Sequence, residues 1–197
     1  MILNLMIEEE IIMTTVFNNM EDNREEIIKR LKEGQVGIFP CDTIYGICSI
    51  VGDEQKERIL KIKERSPKKS FISLVNFDYL KRSDLTVPEI LYKVWPAPLT
   101  AILADKSGTT HAVRVPLDKE LTKILSEVGA IYSTSVNISE HESMQNVDEI
   151  IKVFSDKVDF IVRADVSDDA KPSTIINFVK APYTVLREGA FDPSLIL

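Results

Sequence analysis

The chain has no G-x-x-x-x-G-K-[ST] run and no G-x-G-x-x-G after an apolar stretch. Any nucleotide it binds is therefore held outside a P-loop or a Rossmann turn. Histidine and cysteine are scarce, two of each in 197 residues. Cys41 and Cys48 stand seven apart with no metal-type partner spacing, and His111 and His141 are scattered. Free thiols are the expectation, and no metal held by protein side chains. No Ser–His–Asp or Cys–His arrangement can be placed, so covalent catalysis is not indicated. Cys41 reads as a small buried thiol rather than a nucleophile. No apolar run approaches the roughly 20 residues that cross a bilayer. The start, Met1 to Ile7, lacks basic residues and runs into Glu8-Glu9-Glu10, the wrong pattern for a secretory signal. The expected compartment is the cytoplasm, with no membrane partner. There is no repeat, linker or low-complexity segment.

Against a net charge of -7, which argues against binding nucleic acid by overall charge, one short run is conspicuously basic. Lys61-Ile-Lys-Glu-Arg-Ser-Pro-Lys-Lys-Ser70 carries five cations in ten residues. Ser66-Pro67 breaks it, because proline has no N–H and turns the preceding residue away from helix. A helix should end near Arg65, with Lys68 and Lys69 on the loop beyond. Such a helix end can surround a phosphate chain, Arg with a planar fork and Lys with a point charge. Taken alone, the run reads first as a solvated helix face, and the rest of the chain is what shifts the reading.

Length and a 44% hydrophobic content suit one domain with a sizeable core. Residues 1–20 show no clear period and read as a loosely attached N-terminal arm, with the domain proper at 21–197. Asp22 is placed to cap a helix over Asn23–Glu33, which Gly34 ends. Strands are expected over Val36–Pro40, Ile47–Val51, Phe71–Val75, Leu99–Ala104, Ala112–Val115, Ala130–Thr134, Phe160–Val162, Thr174–Phe178 and Tyr183–Leu186. Further helices are expected from Asp53, over Val87–Val94, after a capping Asp118, and over Val147–Phe154. This alternation implies an α/β or mixed α+β single domain.

Polar groups gather at strand ends, where open α/β sheets place ligands. Asp42-Thr43 follows one strand, Ser133-Thr-Ser-Val-Asn137 ends another, Ser173-Thr174 begins a third and Arg187 ends the last. Hydroxyls at such positions ordinarily cap turns. Arg114 lies within an apolar strand, where an arginine needs a partner or a ligand. Cations with hydroxyls point to positioning and electrostatic stabilisation of a phosphoryl centre.

Seven segments stand in one order: Phe39-Pro-Cys-Asp-Thr-Ile-Tyr-Gly46, Lys63-Glu-Arg65, Trp95-Pro-Ala-Pro-Leu-Thr100, Val113-Arg-Val-Pro116, Ser133-Thr-Ser-Val-Asn137, Pro172-Ser-Thr174 and Leu186-Arg-Glu-Gly189. Together they resemble the threonylcarbamoyl-adenylate synthases, the YrdC/Sua5/TsaC family, over Gly34 to Gly189. The split motif K-x-R plus S-x-N, which marks the synthase branch, is met by Lys63/Arg65 and Ser135/Asn137. The chain looks like the short form, without the extra C-terminal domain of the longer branch. It departs from the family pattern at Cys41, at Ala97, at Ser66 and Ser70, and at Glu140.

The resemblance implies a twisted mixed sheet with flanking helices and a basic cleft. It implies a nucleotidyltransferase that joins L-threonine, bicarbonate or CO2, and ATP (as its Mg2+ complex) into threonylcarbamoyl-AMP and pyrophosphate. The product would feed the t6A modification of tRNA at adenosine 37, with tRNA and the proteins of the t6A complex as further partners. By that analogy Arg65, Lys69, Thr110, Ser135, Ser143 and Arg187 hold ATP. Thr43, Arg114, Ser133 and Ser173 hold threonine, with Arg114 pairing its carboxylate. Lys63, Arg65 and Asn137 belong to the catalytic signature, and Lys63 and Asn137 should line the same cleft. The rival within the same fold is a non-synthase, YciO-like paralogue that binds double-stranded RNA or tRNA. A scaffold partner with a degenerate site is the third reading.

Overall fold

Apolar residues alternate their sides along the central strands, and both sides are covered, so the strands read as near-continuous apolar runs. In the computed structural model, which describes residues 13–64, 71–138, 141–167 and 169–197, these strands form one mixed sheet. The strands are β1 (Thr15–Phe17), β2 (Gly37–Pro40), β3 (Tyr45–Ile50), β4 (Ile72–Val75), β5 (Leu99–Ala104), β6 (Thr110–Arg114), β7 (Ala130–Ser135), β8 (Phe160–Val162), β9 (Thr174–Asn177) and β10 (Thr184–Arg187). Their spatial order is β1-β8-β2-β3-β7-β4-β6-β5-β9-β10. The β1/β8, β2/β8, β4/β6 and β5/β9 pairs are parallel, the others antiparallel.

The helices are α1 (Arg24–Lys32), α2 (Asp53–Ile62), α3 (Phe77–Arg82), α4 (Glu89–Val94), α5 (Lys119–Val128) and α6 (Val147–Phe154). Ile27 and Leu31 of α1 and Leu121, Ile124 and Leu125 of α5 pack with Phe39, Cys48, Ile131 and Phe160. On the opposite side Ile59 of α2 and Ile150 and Phe154 of α6 pack with Ile38, Tyr45, Ile47 and Ile161. Neighbouring residues such as Phe160 and Ile161 thus serve different cores, as a period of two requires. A third core gathers Leu80, Leu91 and Trp95 against β5, β6 and β9.

Most expected elements are present within a residue or two of their boundaries; the helix from Asp53, expected to end near Arg65, stops at Ile62 because Lys63 caps it and Glu64 turns left-handed, and three further differences follow. Asp22 does not cap α1: Asn23 holds the N-cap without a side-chain bond, and the Asp22 carboxylate accepts from Asn19 Nδ2 at 2.8 Å instead. The short helix α3 was not expected. Its signal is Asn76, whose side chain accepts from Tyr79 N, a cap followed by a stretch too short to show a period. Within the segment expected as an arm, β1 pairs in parallel with β8 and Met20 is buried.

Candidate active site

A cavity of about 380 Å³ opens over the sheet. Its lining comes on one side from the C-terminal ends of β2 and β7 and the N-terminal ends of β3 and β4, and on the other from the C-terminal ends of β6 and β10 and the N-terminal end of β9. Its lining includes Thr43, Arg114, Ser133, Ser135, Ser143, Ser173 and Arg187, and no Asp or Glu side chain among the described residues. Hydroxyls and two guanidiniums facing a space without fixed carboxylates favour an anionic guest.

Arg114 is buried at the end of β6. Its Nη2 donates to the Cys41 carbonyl at 2.6 Å and its Nη1 to Thr43 Oγ1 at 3.0 Å, while Nε has no partner among the described residues. Burial pulls the guanidinium below its usual pKa, and the Cys41 thiol and the Asp42 carboxylate oppose that pull. The partner carbonyl is presented by a tight turn in which Asp42 takes a left-handed backbone, φ 72°. Asp42 has one buried oxygen without a partner, and burial raises its pKa above the ordinary carboxylate range.

Opposite that turn, Gly46 has no side chain to spare. A Cβ there would lie 2.7 Å from both Cys41 Sγ and Ser133 Oγ and 3.1 Å from Cys48 Sγ. The bare backbone lets both thiols, 3.3 Å apart, and the Ser133 hydroxyl share one floor. Both cysteines are free, as expected.

Arg187 anchors the other wall. Its Nη2 donates to the Ser173 carbonyl at 2.7 Å and to Ser173 Oγ at 3.3 Å, and its Nε to the same carbonyl at 3.1 Å. A bulge at Leu186 shifts the β9/β10 register so that Arg187 faces Ile175, which re-aims the side chain. Burial, then the charge of Arg114, lower the Arg187 pKa. Gly189 lets the chain pass close by: a Cβ there would lie 2.2 Å from the Pro172 carbonyl oxygen.

Lys63 and Asn137 do not line the cavity; they stand behind it. Lys63 is the C-cap of α2, and the left-handed Glu64, φ 50°, ends the helix. The buried Lys63 ammonium donates to the carbonyls of Ser135 and Asn137 and, at 2.7 Å, to Asn137 Oδ1. Ser135 Oγ donates to the same Oδ1 at 2.7 Å, and Asn137 Nδ2 donates to the carbonyls of Ile138 and His141. The split motif is thus one hydrogen-bonded knot that holds Ser135 at the cavity wall.

Thr110 is exposed and does not line the cavity, but the register puts its end of β6 on the side of the sheet where β7 ends at Ser135. Arg65 and Lys69, and the departures at Ser66, Ser70 and Glu140, lie outside the described residues. Sequence reading missed Gln145 and the role of Tyr45. Gln145 lines the cavity, accepts from Tyr45 N at 3.1 Å and donates to Ser143 Oγ at 3.0 Å; a lone glutamine in a loop carries no signal. The Tyr45 hydroxyl clips Ala164 by donating to its carbonyl at 3.0 Å and accepting from its N–H at 2.7 Å. Its ionisation is pushed up to about 12 by burial.

The Sua5/YciO/YrdC family profile, described as "Telomere recombination", matches residues 29–189. A Methanocaldococcus jannaschii protein provisionally named threonylcarbamoyl-AMP synthase is 31% identical over 191 residues, covering 88% of this chain and 91% of its own. A Vibrio vulnificus threonylcarbamoyl-AMP synthase is 26% identical over 174 residues, 79% of this chain and 94% of its own. The fold is also that of P. abyssi Sua5 in a crystal structure complexed with L-threonine: TM-score 0.83, 24% identity, 93% of this chain covered. This chain spans 60% of that longer one. With most of its length matched by the profile and its cavity built from the motif segments, the chain belongs to the Sua5/YciO/YrdC family.

Proposed function

We propose that the chain is an L-threonylcarbamoyladenylate synthase, making threonylcarbamoyl-AMP and pyrophosphate from L-threonine, CO2 or bicarbonate, and ATP. The observation that carries this reading is convergence. The Lys63 ammonium, distant in sequence, holds the Ser135–Asn137 turn beside a cavity lined by Arg114, Thr43, Ser133 and Ser173. The names of the relatives point the same way.

In this reading Arg114 pairs the threonine carboxylate, and Thr43, Ser133 and Ser173 orient its polar groups. Ser135, Ser143 and Arg187 face the nucleotide, together with Arg65 and Lys69 of the basic run. Thr110, exposed at the end of β6 that runs beside the N-terminal end of β4 and, through it, the Ser135 end of β7, joins them. Mg2+ enters with ATP as part of the substrate. The threonine amine adds to CO2 and releases a proton, giving a carbamate. The carbamate oxygen attacks the α-phosphorus, the bond to the β,γ-diphosphate breaks, and pyrophosphate leaves. Once the carbamate exists no general base is needed, so the site's work is positioning and neutralising the charge that builds on the phosphoryl oxygens. Lys63 and Asn137 contribute by fixing the Ser135 wall. The product would serve t6A formation on tRNA in the cytoplasm; no described helix is long and apolar enough to cross a membrane.

The test is pyrophosphate release by the purified protein with ATP, L-threonine and bicarbonate. Release should depend on threonine, and Lys63→Ala should remove most of it. Well-folded protein that releases none in response to threonine would end this reading.

A further inference from the structure

Thr100 is a fully buried polar residue in β5, and the mechanism above gives it no role. Its hydroxyl makes one hydrogen bond among the described residues, to Ser173 Oγ at 2.8 Å. Distance alone does not say which oxygen donates, but the surroundings do. Ser173 Oγ also receives an N–H from Arg187 at 3.3 Å and lines the cavity. If Ser173 donated to Thr100, the Thr100 proton would be left without an acceptor in the core, and a buried unpaired donor costs about 1–3 kcal/mol. If Thr100 donates, both lone-pair sites of Ser173 are used, by Thr100 and Arg187, and the Ser173 proton is left for the cavity, where solvent or a ligand accepts it. The second arrangement seals no unpaired donor in the core: the spare proton sits on Ser173, which is itself buried but lines the cavity.

We infer that Thr100 is a positioning residue that sets the polarity of Ser173, fixing its hydroxyl as a donor toward an acceptor atom on the bound ligand. This deepens the synthase reading and rests on it for the ligand's identity: the acceptor is an oxygen of the amino-acid substrate. The Ser173 hydroxyl then stands as a donor beside the Arg187 guanidinium, a pair that suits an anionic or carboxylate-bearing group better than an ammonium. Threonine suits the position physically. Its hydroxyl makes the bond, and its methyl keeps χ1 from wandering in a strand.

The test compares Thr100→Val and Thr100→Ser. Valine keeps the shape and removes the donor; serine keeps the donor and removes the methyl. Thr100→Val should melt within a few degrees of the parent, raise the KM for L-threonine roughly three- to tenfold, and leave kcat and the KM for ATP within about twofold. Thr100→Ser should restore most of the threonine KM. A valine variant with unchanged threonine KM, or a serine variant as impaired as the valine one, overturns the inference. Neutron diffraction from deuterated parent protein reads the polarity without any reaction. A deuteron on Thr100 Oγ1 pointing at Ser173 is the expected result, and one on Ser173 pointing at Thr100 overturns the inference. A parent enzyme with no threonine-dependent reaction but the expected deuteron would sink the synthase reading and leave the donor assignment standing.

Discussion

Replacing Arg114 by methionine should separate binding from folding. The guanidinium is buried, holds the Cys41 carbonyl at 2.6 Å and Thr43 Oγ1 at 3.0 Å, and keeps one N–H unpaired. Removing it strands the Cys41 carbonyl, at about 1–3 kcal/mol. It also removes an incompletely satisfied buried cation, whose desolvation costs the native state on the order of several kcal/mol, partly repaid by its hydrogen bonds. The two nearly offset, so the ligand-free protein should keep its stability to within about 2 kcal/mol, or roughly 4–8 °C in Tm for a chain of this size. Binding has no such offset. A threonine carboxylate that loses its buried cationic partner forfeits about 2–5 kcal/mol, so affinity should fall by roughly one and a half to three and a half orders of magnitude. Calorimetric titration with L-threonine and a thermal melt of the same sample read both quantities. A folded Arg114→Met protein that binds threonine within a few fold of the parent refutes the assignment of Arg114 to the carboxylate. A melt lowered by some 15 °C or more would show that Arg114 serves the fold first.

Two further substitutions probe the floor and the turn. Gly46→Ala should lower stability by about 1–3 kcal/mol, because its methyl overlaps a closely packed thiol and the Ser133 hydroxyl; an unshifted calorimetric melt would mean that these groups rearrange freely. Asp42→Asn tests linkage. The native carboxyl titrates above its unfolded value, so from about pH 4 up to its raised pKa the native state keeps a proton that the unfolded chain has lost, and stability falls as pH rises. Asparagine tolerates the left-handed turn and does not titrate. Its urea midpoint should gain on the parent's as pH climbs through that window and stay ahead above it; parallel profiles would exclude the effect.

Much of the architecture was legible because it rests on period and punctuation. The strand β8 (Phe160–Val162) and the helix α6 (Val147–Phe154) are strongly patterned, and their observed bounds are the expected ones. Asp118 caps α5 by accepting from Leu121 N, as its position before an apolar repeat implied. The helix α3 escaped because six residues are less than two turns. In the cavity, the residues that could be read were those out of keeping with their surroundings: an arginine in an apolar strand, hydroxyls clustered at a strand end. Thr100 was silent for the opposite reason. Threonine suits a strand by propensity, so only the hydroxyl's partner, 73 residues away, distinguishes it from filler.

The two arginines of the cavity and the lysine behind it share one form of anchorage that the sequence could not display. Arg114 is held by the Cys41 carbonyl, Arg187 by the Ser173 carbonyl and Lys63 by the carbonyls of Ser135 and Asn137. Each carbonyl belongs to a segment where the chain leaves or enters the sheet. Such ends have peptide oxygens that no neighbouring strand satisfies. Neither arginine forms an ion pair among the described residues; the arginine pairs present, at Arg24, Arg30, Arg58 and Arg163, involve other positions. The difference matters for function. A carboxylate would hold an arginine more firmly, but it would cancel the charge and compete with an anionic ligand. A carbonyl fixes the geometry through its dipole and leaves the full positive charge in the cavity. An acidic protein can in this way keep a locally positive site: among the described residues its carboxylates stay out of the cavity lining, and the ends of the strands supply the acceptors that position the cations.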